Sequence, residues 1–109
     1  MTPQHVREMV EREIAGRWSE SNDHVVDHRR SLVTPRLVEC RNTFPHPDRP
    51  RPKTLKLWVV LEETPGSPDG YVILFDESKS RFGLGDFGTD GRVVFLGYYG
   101  SFWSTFHGM

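Results

Sequence analysis

The sequence predicts a single α+β domain in which an N-terminal amphipathic helix packs on a four-stranded, mostly antiparallel sheet, with a short aromatic helical turn at the C-terminus. Three observations carry that expectation. Apolar residues between Pro3 and Trp18 recur at helical spacing. Three later runs, Leu55–Leu61, Tyr71–Phe75 and Arg92–Tyr99, are rich in β-branched and aromatic residues and are separated by turn-forming segments. Eleven valines stand against one alanine, a balance that suits pleated surfaces better than helices. With 109 residues the chain has the length of one domain, 1–109, built on one modest core.

In the first element Val6, Met9, Val10, Ile14 and Trp18 fall on one stripe of a helix. Thr2 can cap it, Pro3 suits a first turn whose N–H groups have no partner, and Gly16 marks where it loosens. Between Ser21 and Val33 the pairs Val25–Val26 and Leu32–Val33 lie two helical turns apart, which fits a second short helix ended by Thr34–Pro35. Residues 22–33 fit a strand as well. From Leu37 to Phe44, Val38, Cys40 and Phe44 alternate with charged and polar neighbours, the pattern of a strand with one wet face. The segment Phe44–Lys53 has four prolines, too few backbone donors for a central strand, and reads as a stiff loop.

Leu55–Leu61 and Tyr71–Phe75 read as paired antiparallel strands across the turn-rich segment Glu63–Gly70. Gly83–Gly88 is expected to be a glycine-rich connection, and Asp90–Gly91 a turn into the last strand, Arg92–Tyr99. Ser101 can cap a final helical turn that sets Phe102 beside Phe106, with Trp103 next to them. Those rings belong to the core, or else mark an interface.

Composition excludes several functions. The longest apolar runs have five residues, against the ~20 of a spanning helix, so no membrane association is expected. The charged N-terminus lacks the apolar block of a secretory signal, so a cytoplasmic location is expected unless a precursor is processed. A lone cysteine, Cys40, rules out an internal disulfide and cysteine-rich zinc sites, and its place on the apolar alternation of a strand argues for burial.

Motifs that could carry chemistry are incomplete. Gly83-Leu84-Gly85-Asp86-Phe87-Gly88 has the G-x-G-x-x-G spacing of a dinucleotide loop, but a turn and a strand follow it rather than a helix. His24 and His28 have the spacing of the two zinc-binding histidines of H-E-x-x-H, but Val25 occupies the place of the glutamate. No nucleophile elbow is present. No catalytic, cofactor-binding or metal-ligating residue is therefore assigned.

Charge is the remaining signal. The chain carries −1 overall, but residues 29–56 hold eight basic side chains against two acidic ones. These observations lead to the expectation of a small, soluble, non-catalytic protein-interaction or regulatory module. It would contact a protein partner, a second copy of itself included, through Arg49, Arg51, Lys53 and Trp103. One alternative is a weak nucleic-acid binder that uses the basic 29–56 segment, Arg36, Arg41, Arg51 and Lys53 among it, with Phe44 and Trp58 for base stacking. A second is a metal-dependent enzyme centred on His24 and His28.

Overall fold

The computed structural model describes residues 1–14, 28–42 and 54–109. Its elements are α1 (Pro3–Ile14), α2 (His28–Ser31), β1 (Leu32–Asn42), β2 (Thr54–Glu62), β3 (Tyr71–Asp76), β4 (Arg81–Phe87), β5 (Val93–Gly100) and α3 (Phe102–His107). The fold is α+β, but the sheet is neither four-stranded nor open. Five strands close into a barrel in the order β1-β2-β3-β4-β5. Consecutive strands pair antiparallel, and the seam between β5 and β1 is parallel, with Arg41 beside Val94 and Asn42 beside Phe95.

The additional strand is β4, where the sequence suggests only a glycine-rich connection. Glycine is a poor strand former, because it loses the most backbone freedom and offers nothing to pack. Here it alternates with useful neighbours. Phe82 and Leu84 join the apolar layer outside the barrel, while Gly83 and Gly85 stand opposite Leu74 and Val72 of β3. A Cβ on Gly83 would lie 2.7 Å from the Gly97 carbonyl oxygen and 2.8 Å from Cε1 of Phe95. One on Gly85 would lie 2.8 Å from both Leu74 Cδ1 and the Val94 oxygen. The small barrel closes only because these positions carry no side chain.

A second correction concerns residues 32–35. Leu32 and Val33 open β1 rather than ending a helix, and α2 is a single turn. Pro35 lies inside β1, where the register against β2 slips between Leu32 and Arg36. A residue without an N–H costs least where the ladder is already interrupted.

Two apolar layers result. Cys40, Leu57, Val59, Val72, Leu74, Val93 and Phe95 fill the barrel. Trp58, Val60, Leu61, Ile73, Phe75, Phe82 and Leu84 face outward, covered by Val6, Val10 and Ile14 of α1 and by Phe102 and Phe106 of α3. The alternation along β2 shifts at Val60: two β2 residues advance against one of β3 between Val59 and Leu61, so Leu61 turns to the outer layer.

The starts of α1 and α3 follow their caps. Thr2 Oγ1 accepts the His5 amide at 3.2 Å, and Ser101 Oγ accepts the Ser104 amide at 3.0 Å. Phe102 and Phe106 are fully buried, with Phe102 edge-on to Phe82 at 5.8 Å. Among the described residues, no helix is long and apolar enough to cross a membrane.

Candidate functional site

The seam of the barrel is its least complete part. β1 is eleven residues long, yet only Arg41 and Asn42 have ladder partners in β5. Toward the start of β1 the two sides part around a groove of about 400 Å³. Arg36, Val38 and Glu39 line one side, and Phe87, Gly91, Arg92 and Val93 the other. A second hollow of about 280 Å³ adjoins it, sharing Arg36 and Phe87 and reaching Glu62 and the Gly66–Pro68 loop.

The far wall is held by a tight turn. Gly91, with φ +77°, donates to the Gly88 carbonyl at 2.9 Å, and Gly88 donates to the Arg92 carbonyl at 2.8 Å. Asp90 Oδ1 accepts the Arg92 amide at 3.1 Å, and its Oδ2 accepts from Arg41 Nη2 at 3.3 Å. The Arg92 amide, with help from the Arg41 and Arg92 charges, holds the Asp90 carboxyl below its ordinary range against a smaller opposing effect of desolvation. The turn therefore sets the position of Arg92 and ties the β4–β5 connection to β1 across the seam.

On the near wall, Arg36 Nη1 donates to Glu62 Oε2 at 2.9 Å. The Glu62 side chain is only 6% exposed, whereas that of Arg36 is 47% exposed. Arg36 thus neutralises a buried carboxylate from one side while most of its donors remain available. Among the described residues, neither the Arg92 guanidinium nor the Glu39 carboxylate has a hydrogen-bond or ion-pair partner, and both are exposed.

The residues singled out from sequence fare unequally. Arg49, Arg51, Lys53, Phe44 and His24 lie outside the described residues, as does the side chain of His28. Trp103 is half-buried and bridges the helices: its indole Nε1 donates to the Glu13 carbonyl of α1 at 3.1 Å, and its ring stacks on His107 at 5.9 Å. Trp58, 7% exposed, belongs to the outer apolar layer, so it offers no surface for a base to stack on. Arg36 and Arg41 both face carboxylates.

Cys40 is buried in the barrel, and desolvation pushes its thiol up to about 11 despite a backbone hydrogen bond with Leu57. Burial thus disfavours the thiolate, the nucleophilic form of the side chain. The G-x-G-x-x-G stretch supplies β4 and the first residue after it, with no helix to receive a phosphate. Among the described residues, no three His, Cys, Asp or Glu side chains stand close enough to hold a metal ion.

Sequence reasoning overlooked Phe87, Arg92 and Glu62, which reach the groove only through barrel closure. It also missed a cluster at the β3–β4 turn. Asp76 accepts the Tyr98 hydroxyl at 2.5 Å, the Ser78 hydroxyl at 2.7 Å and the Ser78 amide at 3.0 Å. Lys79 Nζ lies 5.0 Å from the centre of the Tyr98 ring. Desolvation raises the Asp76 carboxyl, but these hydrogen bonds and one from the Lys79 amide together bring it below its ordinary value. Ser78, Lys79 and Tyr98 all donate to Asp76, so the cluster ties the β3–β4 turn to β5. The signal for it was Asp76-Glu77-Ser78, an Asp two residues before a Ser in a turn.

The chain matches no protein-family model, no curated protein and no solved structure.

Proposed function

We propose that this chain is a non-catalytic protein-interaction module of the cytoplasm and that the groove at the β1–β5 seam is its contact surface. One observation carries the reading. Among the described residues, the β1 edge toward β5 is incompletely paired and borders an apolar floor of Val38, Phe87 and Val93, flanked by the charged side chains of Arg36, Arg92 and Glu39. An open strand edge can take up an extended segment through backbone hydrogen bonds, with side-chain pockets adding specificity. Aromatic and arginine side chains are the usual anchors of such contacts. A single buried, protonated cysteine suits a reducing compartment.

The nucleic-acid alternative draws less support. Arg36 and Arg41 already answer carboxylates, and a phosphodiester laid in the groove would meet Glu39 as well as Arg92.

The test is a photo-crosslinking residue placed at position 87 in the groove or at Glu8 on the exposed face of α1. A protein adduct of defined mass from position 87 alone supports the reading. Equal labelling from both positions, or none from 87, defeats it. An adduct that disappears on nuclease treatment transfers the groove to the nucleic-acid alternative.

A further inference from the structure

Two charged side chains of the groove, Glu39 and Arg92, have no hydrogen-bond or ion-pair partner among the described residues, and their opposite signs bear on what fills it. A surface that binds only acidic partners would present arginines without a glutamate, and its own copy would be repelled. Here Arg36 and Arg41 are already matched by Glu62 and Asp90. Asp90 is shared between Arg41 and Arg92, so the far wall keeps a net positive charge at Arg92 and the near wall a negative one at Glu39. A two-fold contact requires a patch that is its own complement, with residue i meeting j and j meeting i.

We propose that the groove is the contact face of a symmetric homodimer in which Glu39 of one protomer pairs with Arg92 of the partner subunit, and the reverse. The proposal rests on the interaction-module reading and names the occupant as a second copy of this chain. The two-fold brings the outer edges of the two β1 strands side by side and antiparallel. The apolar floor of Val38 and Phe87 then closes over itself, and Leu37, 51% exposed on β1, flanks the contact. The charges at positions 36 and 39 guard the edge against indiscriminate strand pairing while leaving this one alignment favourable.

Sedimentation equilibrium of the full chain provides the test. Wild type is expected to dimerise, with association weakened by salt. Glu39→Arg places two arginines in opposition, and Arg92→Glu two glutamates, so each variant should weaken the dimer at least about tenfold. Mixing the two variants should restore association as a heterodimer, because every cross-pair then joins opposite charges. The double variant E39R/R92E should dimerise as wild type does. Thermal melting of each variant shows that it is folded.

A wild type that stays monomeric overturns the homodimer, as do folded single variants with unchanged association or a mixture that fails to associate. If the wild type is monomeric while position 87 still crosslinks to a different protein, the homodimer fails and the module reading stands. Loss of both results defeats both.

Discussion

The two apolar layers of this protein are built from different materials. The buried residues inside the barrel are three valines, two leucines and one cysteine, with a single buried ring, Phe95, above two glycines. Outside, Phe75, Phe82, Phe102, Phe106 and Trp58 form a layer dominated by rings. The difference follows from what bounds each space. The barrel's volume is set by backbone closure and cannot expand, whereas the outer layer is bounded by helices that can shift as side chains change. The interior is thus sensitive to atoms added and the outer layer to atoms removed.

Truncation after Gly100 tests the outer layer most severely. It removes Phe102 and Phe106, both fully buried, and large buried rings cost roughly 3–5 kcal/mol each. Against a total stability of about 5–15 kcal/mol, the truncated chain should be unfolded by circular dichroism. A melt equal to that of wild type would show that the barrel stands without its cover.

The opposite perturbation tests the interior. Gly85→Val adds atoms where a Cβ already lies 2.8 Å from backbone, and overpacking of this kind costs about 1–3 kcal/mol or more. Chemical denaturation should show that loss, while Val60→Ile under the helices should cost less. Equal costs would erase the distinction between the layers.

A comparable loss is expected at the β3–β4 turn, where Tyr98→Phe leaves Asp76 Oδ2 without its hydroxyl donor, at about 1.5–3 kcal/mol. The pH dependence has a definite sign. The folded Asp76 carboxyl lies below its ordinary value, so its stabilisation is complete above the unfolded-state value near ~4 and is lost as pH falls through the folded value. Urea midpoints at pH 7 and pH 3 should therefore converge more in Asp76→Asn than in wild type.

The smallest effect is expected at the helix junction. Trp103→Phe keeps a ring but gives up the bond to the Glu13 carbonyl, a loss of about 0.5–1.5 kcal/mol in a thermal or denaturant melt.

Much of the outer layer was legible in the sequence, because it depends on local periodicity. The α1 stripe, the Ser101 cap and the placement of Phe102 with Phe106 all follow from spacing within a few residues. The interior was less legible. Gly83 and Gly85 look like turn residues until Phe95, ten or more positions later, is known to fill the space above them. Thr34-Pro35 looks like a helix stop until the slipped β1–β2 register gives proline a harmless place. The groove was least legible of all. Arg36, Phe87 and Arg92 have nothing in common in sequence, and only closure of the barrel puts them on one hollow, whereas Arg49, Arg51 and Lys53 drew notice because they are neighbours in the chain.

The parallel seam has a consequence for how this molecule is assembled. An up-and-down walk through an odd number of strands ends pointing the way it began, so the last strand can meet the first only side by side in the same direction. That junction unites residues from opposite halves of the chain, and it demands the largest loss of loop entropy for only two ladder pairs. Zippering the four hairpin-like pairings first and sealing the cylinder last is the path of least entropic resistance. The amides that donate across this β1–β5 junction should then be among the first in the sheet to exchange with deuterium, with the barrel breathing along one line.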